Sequence, residues 1–284
     1  MTPLTLLAAY SLALAAASML GGMLPNILRL THTRTQTIMS LVAGLMLGVA
    51  LFHLLPHGIQ KLSITMSPGE AVDQAALWMM AGLLLMFILL RLFHFHHHDF
   101  TKEGLDHGHH DHDTGDHCSG HSPNPASVNW AGIFIGMSVH TIIDGVALGA
   151  ALLADTHNSL LGMGVFLAIL LHKPLDSLAI TAVMANAGWS TRLQMLVNIV
   201  FALLCPLGAM MFLIGIDFAS AHSALVIGLA MAFSAGVFLC ISLSDLLPEI
   251  QFHSHDSFRL TIALAIGVLL ALGIGLLEPQ YHAH

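Results

Sequence analysis

Long apolar runs separated by short polar connections decide what this chain can fold into. Eight stretches, at 4–23, 37–57, 74–93, 128–153, 159–184, 193–216, 223–249 and 259–278, are nearly free of charge. Each is long enough to cross roughly 30 Å of hydrocarbon at about 1.5 Å per residue. Within hydrocarbon every backbone N–H and C=O must be satisfied internally, so such segments span as helices. The expected fold class is an all-α polytopic membrane protein with eight transmembrane helices. Charged residues make up only 8% of the chain, where a soluble domain carries about a quarter, so a water-exposed globule and a nucleic-acid partner are both excluded. The expected surroundings are a lipid bilayer. The first stretch has no basic residues before it and is long enough to span, so it reads as a helix and not as a cleaved signal.

One connection, residues 94–127, is long, polar and rich in His, Asp, Gly, Ser and Pro. Its composition predicts a disordered linker. The chain thus divides into spans one to three (1–93), this loop (94–127), spans four and five (128–184) and spans six to eight (185–284). With eight spans, Arg29, Arg34, Arg91, Lys102, Arg192 and Arg259 fall on one side, Lys61 falls on the other, and Lys173 lies inside span five. Basic residues favour the cytoplasmic side, which places both termini outside and the His-rich loop inside. A bacterial inner membrane is the expected location. The cysteines Cys118, Cys205 and Cys240 are odd in number and unpatterned, and no disulfide is expected.

Spans two and seven share a segment. AGLMLGVALFHLLPH (43–57) and AGVFLCISLSDLLPE (235–249) align without gaps at seven identities in fifteen. Under the orientation above they cross in opposite directions. Spans one to three and six to eight are therefore expected to form an inverted repeat around spans four and five, a 3+2+3 arrangement found in transporters.

Ionisable residues within a membrane cost about 2.5–3.5 kcal/mol each on insertion scales and so point to function. Here they cluster. Span four carries His140 and Asp144, and span five His172 and Asp176. His and Asp at i and i+4 share one helix face. Each His bonding only its own Asp would make two structural pairs. Two such pairs on adjacent spans, packed face to face, would instead bring two imidazoles and two carboxylates together, a donor set suited to tetrahedral zinc. Gly132, Gly136, Gly145 and Gly149 give span four two GxxxG motifs for close packing. Pro174 in span five frees the carbonyl of Leu170. A possible path is marked by His53 and His57 in span two, Asp245 and Glu249 in span seven, His253 and His255 beyond it, and Glu278 at the end of span eight. Met46 in span two is a soft-ligand candidate. Near span ends these residues can equally be ordinary wet positions. The loop holds ten His between His94 and His121, a composition for loose, exchangeable metal binding.

At these residues the chain resembles the ZIP family of metal transporters. The resemblance rests on His140, Asp144 and Gly145 in span four; on His172, Lys173 and Asp176 in span five; on Cys205-Pro206-Leu207-Gly208-Ala209; and on ISLSDLLP at 241–248. It covers nearly the whole chain. It implies eight spans, outside termini, a cytoplasmic His-rich loop and metal uptake. Many members hold two metals. The resemblance places the second-metal ligands at Thr141, Lys173 and Cys205, where the family typically has Asn, an acid and Glu. An ammonium cannot ligate, so a one-metal variant is implied, built on His140, Asp144 and Asp176 with His172 as ligand or gate.

A cation diffusion facilitator, which exports metal, also uses paired His-x-x-x-Asp motifs. It has six spans and a soluble C-terminal domain, where this chain has eight spans and few residues after the last. A membrane metalloenzyme would need a His-Glu-x-x-His helix or several His-rich boxes, and a metal sensor would need only the loop. The substrate expected is a divalent transition metal. His and Asp accept Zn2+, Fe2+, Mn2+, Cd2+ and Co2+ alike, with Zn2+ the first expectation. A homodimer is compatible with the sequence.

Overall fold

The computed structural model describes residues 3–23, 32–93, 130–154, 161–252 and 257–277. The described residues are helical throughout apart from short turns. The helices are α1 (Pro3–Met23), α2 (His32–Val49), α3 (Leu55–Leu62), α4 (Pro68–Phe93), α5 (Trp130–Ala154), α6 (Leu161–Asn186), α7 (Thr191–Phe218), α8 (Ser223–Phe252) and α9 (Ser257–Leu277). Eight helical segments are long and apolar enough to cross a membrane, with α2 and α3 joined as one running from Arg34 to Leu62. The fold is that of an integral membrane protein with eight spans. The second span is broken, which the sequence pattern did not announce. Between α2 and α3 a π-helical turn, Ala50–Leu54, closes with the Leu55 N–H on the carbonyl of Ala50. Pro56 follows at once, and a widened turn is one way a helix absorbs a residue with no N–H to donate.

The helix ends follow from local chemistry. Ser67 and Glu70 form a reciprocal capping box at the start of α4: the Ser67 N–H donates to the Glu70 carboxylate at 3.1 Å and the Glu70 N–H to the Ser67 hydroxyl at 3.4 Å. Gly188 ends α6 in a left-handed conformation, φ 76°, and the Trp189 N–H returns to the carbonyl of Met184. Ser190, extended, then starts α7.

Four helix pairs dominate the packing: α2 with α9, α4 with α8, α5 with α7, and α1 with α6. Most are held by glycines whose missing Cβ lets backbones touch. A Cβ on Gly44 would collide with the carbonyl of Leu264, and one on Gly267 with that of Leu41. A Cβ on Gly236 would collide with the carbonyl of Met79, and one on Gly82 with that of Phe233. The alignment of spans two and seven sets Gly44 against Gly236 and, just upstream, Leu41 against Phe233. The two sets of contacts are therefore equivalent. Exchanging spans one to three for six to eight, and four for five, leaves the four helix pairs unchanged. This pairing is consistent with an inverted repeat.

The sequence blocks interleave. Spans one, four, five and six clasp one another, as do two, three, seven and eight. The main core cluster runs through both groups, from Leu14 and Met46 to Leu148, Ile169 and Phe238. The outer faces of α1, α4, α7 and α9 carry exposed Leu12, Leu77, Leu203 and Leu269. Faces of this kind are disfavoured in water and suited to lipid. The span-four glycines Gly145 and Gly149 face α7, not α6. Gly145 meets the carbonyl of Cys205, and Gly149 meets Ala209 and Phe212.

Candidate metal centre

The two His-x-x-x-Asp turns lie on α5 and α6, which contact each other. α5 is the most enclosed of the eight spans. His140 and Asp144 stand one turn apart on α5, as do His172 and Asp176 on α6, and each pair points to the other helix. Asp144 is fully buried, His140 and His172 nearly so, and the Asp176 side chain is 14% exposed. From Asp144 Oδ2, His172 Nε2 lies at 3.3 Å and His140 Nε2 at 3.5 Å. From Asp176 Oδ2, the same nitrogens lie at 3.8 and 3.7 Å. Zinc bonds of about 2.0–2.1 Å put the corners of a tetrahedron about 3.4 Å apart. The four donor atoms all lie within 4.8 Å of one another, so small adjustments would set them around one ion.

The hydrogen-bond pattern fits such an ion. His172 Nδ1–H donates to the carbonyl of Ala168 at 2.8 Å. With Nδ1 so anchored, Nε2 faces the two carboxylate oxygens, 3.3 Å from Asp144 Oδ2, and is the nitrogen left to ligate, the usual way a second contact orients a ligating imidazole. Among the described residues five buried side-chain atoms lack a hydrogen-bond partner: His140 Nδ1, Asp144 Oδ1 and Asp176 Oδ2 here, and Asn198 Oδ1 and Ser234 Oγ elsewhere. Buried polar groups are normally satisfied, so each such atom calls for an explanation; a bound ion would supply it for Asp176 Oδ2, one of the four donor atoms, but not for His140 Nδ1 or Asp144 Oδ1, which are not among them. The rings of His140 and His172 are 5.7 Å apart, and the edge of Phe238 from α8 covers His172 at 6.1 Å.

Lys173 is 1% exposed and sits beside these ligands. Its Nζ donates to Asp144 Oδ2 at 3.0 Å and to Thr141 Oγ1 at 2.8 Å, and lies 3.6 Å from Asp176 Oδ2. Phe201 of α7 presents its ring 5.1 Å below the ammonium. Cys205, one turn further along α7, is a buried free thiol, as is Cys240.

The pathway candidates stand apart. Among the described residues the grouped metal-type side chains are His140, Asp144, His172 and Asp176, without His53 or His57. His53 is buried in the π-helical turn with Nε2 donating to the carbonyl of Ala271 at 2.8 Å. His57 lies 3.4 Å from Gln60. Met46 packs in the apolar core. Asp245 and Glu249 lie on α8, but their side chains fall outside the described ones. His253, His255, Glu278, Cys118 and the loop from His94 to His121 also lie outside. Sequence reasoning missed Ala168 and Phe201. A backbone carbonyl leaves no trace in side-chain identity, and a lone Phe in an apolar span resembles any other packing residue.

By fold and site, then, this is a polytopic membrane protein with a buried centre suited to a divalent cation. The family model described as ZIP zinc transporter matches residues 94–277, more than half of the chain, and the chain belongs to that family. It is 31% identical over 163 residues to the zinc transporter foi of Drosophila melanogaster, covering 57% of this chain and 22% of that protein. It is 35% identical over 115 residues to the human metal cation symporter ZIP8, covering 40% of this chain and 23% of that one. Both alignments thus take in less than a quarter of those relatives. The zinc transporter ZIP9-B of Xenopus laevis is 27% identical with 96% of this chain and 97% of that protein aligned.

Proposed function

We propose that the protein carries zinc across the membrane into the cytoplasm, binding one ion at a time between His140, Asp144, His172 and Asp176. The observation that carries this is the convergence of four donor atoms within 4.8 Å on two central spans of a family member. The inward direction is what the resemblance to the family implies; support for the orientation of the chain comes from Arg34, Arg91, Arg192 and Arg259. Each lies at or near a helix end, on one side if the spans alternate, and that side reads as cytoplasmic. The termini then lie outside, and the His-rich segment meets metal after passage. A relative named as a metal cation symporter, together with a donor set of His and Asp, favours a second reading in which other divalent cations share the route. The test is flux of zinc, and of iron, manganese, cadmium and cobalt in turn, into sealed liposomes of known protein orientation. Zinc should cross toward the cytoplasmic face and compete with any other cation carried. Absence of zinc flux from correctly folded protein would overturn the proposal, and flux only outward would overturn its direction.

A further inference from the structure

A buried lysine beside a cation site needs a reason. An ammonium taken from water loses several kcal/mol of hydration, recovered only when its partners are close and well aligned. Lys173 has such partners: Asp144, Thr141 and the Phe201 ring, with Asp176 slightly further away. A pairing that only neutralised the lysine could sit anywhere on the helix. This one falls on Asp144 Oδ2 and Asp176 Oδ2, the same oxygens that complete the four-donor set with the two imidazoles.

We propose that Lys173 is a tethered competing cation, held by Thr141 and Phe201, that weakens the centre's grip on a divalent ion so that the ion can leave. This rests on the four-ligand reading above. The charge count gives the direction. Two carboxylates alone would give a centre of charge −2. With the ammonium the centre is −1 when empty and +1 when it holds a dication. The metal therefore enters a site whose negative charge is partly used, and it shares both oxygens with a fixed positive neighbour. A transporter needs this: a site that binds a dication too tightly fills at low concentration but releases slowly. The tether matters because a lysine is otherwise mobile. Thr141 accepts one of its protons and the Phe201 face attracts the cation from a third direction, which holds Nζ against the carboxylates. The ammonium also occupies the far side of both oxygens, leaving no place there for a second ion.

The experiment uses the full chain with its ten loop histidines, His94 to His121, replaced by Ser, so that only the core site is counted. Zinc affinity is measured by competition with a chromophoric chelator, stoichiometry by metal analysis, and flux in liposomes. The parent should hold one zinc per chain. Lys173→Met should bind zinc at least about tenfold more tightly, with a lower KM and a lower maximal flux. Thr141→Val, which keeps the charge but loosens the tether, should move each value the same way by a smaller factor. Unchanged or weaker binding in Lys173→Met overturns the inference, as does a second tight zinc in the parent. Should Lys173→Met fail to fold, Thr141→Val decides alone, and an unchanged affinity there is a refutation. Asp144→Asn separates this inference from the one beneath it. If that protein binds zinc as the parent does, the ligand assignment itself is wrong. If it binds weakly while Lys173→Met is unaltered, only the lysine's role is lost.

Discussion

Asp144→Asn is the most informative single change, because it removes a charge while keeping the shape of the side chain. Asp144 supplies one of two anionic donors, with Oδ2 at 3.3 and 3.5 Å from the two imidazole nitrogens. Unit charges about 4 Å apart attract by about 4 kcal/mol at an effective dielectric of about 20, and a dication doubles this. If the amide oxygen recovers about half, a loss near 4 kcal/mol remains, or close to three decades in affinity at about 1.4 kcal/mol per decade. We expect zinc binding to weaken by at least about 100-fold and flux at low zinc to fall by at least about tenfold. The fold should survive. Lys173 keeps Thr141 at 2.8 Å and Asp176 at 3.6 Å, so its ammonium is not stranded. The assay is radioactive zinc uptake into proteoliposomes, normalised to the amount of folded protein. His140→Ala and Asp176→Ala should behave alike. Uptake within twofold of the parent in Asp144→Asn would refute the assignment, as would normal uptake in two of the three variants.

Replacing the ten loop histidines between His94 and His121 with Ser should lower the number of loosely bound metals per chain while uptake continues at a substantial rate; complete loss of uptake in well-expressed protein would put that segment on the obligatory path. Gly44→Ala and Gly236→Ala should each reduce thermal stability by an amount equivalent to about 1–3 kcal/mol, since each sets a Cβ against a backbone carbonyl; a melting temperature unchanged in both would mean the helices part easily. Glu70→Ala should cost about 1 kcal/mol through loss of the cap on α4 and leave zinc affinity untouched; a change in affinity would tie that helix end to the site.

The parts of this molecule legible in its sequence were those written in side-chain pattern. Apolar length gave eight spans, because lipid enforces helices and each helix needs about 20 residues. The i, i+4 spacing of His140 with Asp144 and of His172 with Asp176 gave two facing half-sites, and the structure brings the four together. What pattern cannot carry was missed. The π-helical turn at Ala50–Leu54 depends on backbone adjustment next to Pro56, and the equivalent Pro248 lies within α8 with no such break assigned. The partner of a glycine is also hidden: Gly145 and Gly149 suggested close packing, but that it is to α7 follows only from the folded arrangement. His53 looked like a step on a path because it is polar and lies in a span. The sequence did not show that its Nε2 reaches the carbonyl of Ala271 at 2.8 Å.

The exchange of α5 for α6 that relates the helix pairs also relates the site, and this explains its geometry. Gly208 meets the carbonyl of Ile142, two residues after His140, and Gly21 meets that of Pro174, two residues after His172. Gly145, just after Asp144, meets the carbonyl of Cys205; Ser177, just after Asp176, bonds Ser18 at 2.6 Å. Cys205 and Ser18 each stand three residues before their glycine. The donor distances group by carboxylate instead: 3.3 and 3.5 Å to Asp144 Oδ2, 3.7 and 3.8 Å to Asp176 Oδ2, so the two half-sites are alike in arrangement but not in distance. Two His-x-x-x-Asp turns related in this way place nitrogen and oxygen alternately about a shared centre, which is the arrangement the proposed four-fold coordination of one ion needs. The positions after the two histidines are equivalent too, and they are Thr141 and Lys173. They touch each other, Nζ on Oγ1 at 2.8 Å. Two lysines would bring ammonium against ammonium at that point, and two threonines would leave both carboxylates without a cation while the site is empty. A frame that treats both positions alike does not choose between them. The charge difference is therefore a property of the chemistry at the site rather than of the fold, and Lys173 is the residue through which affinity can be tuned without disturbing the ligands.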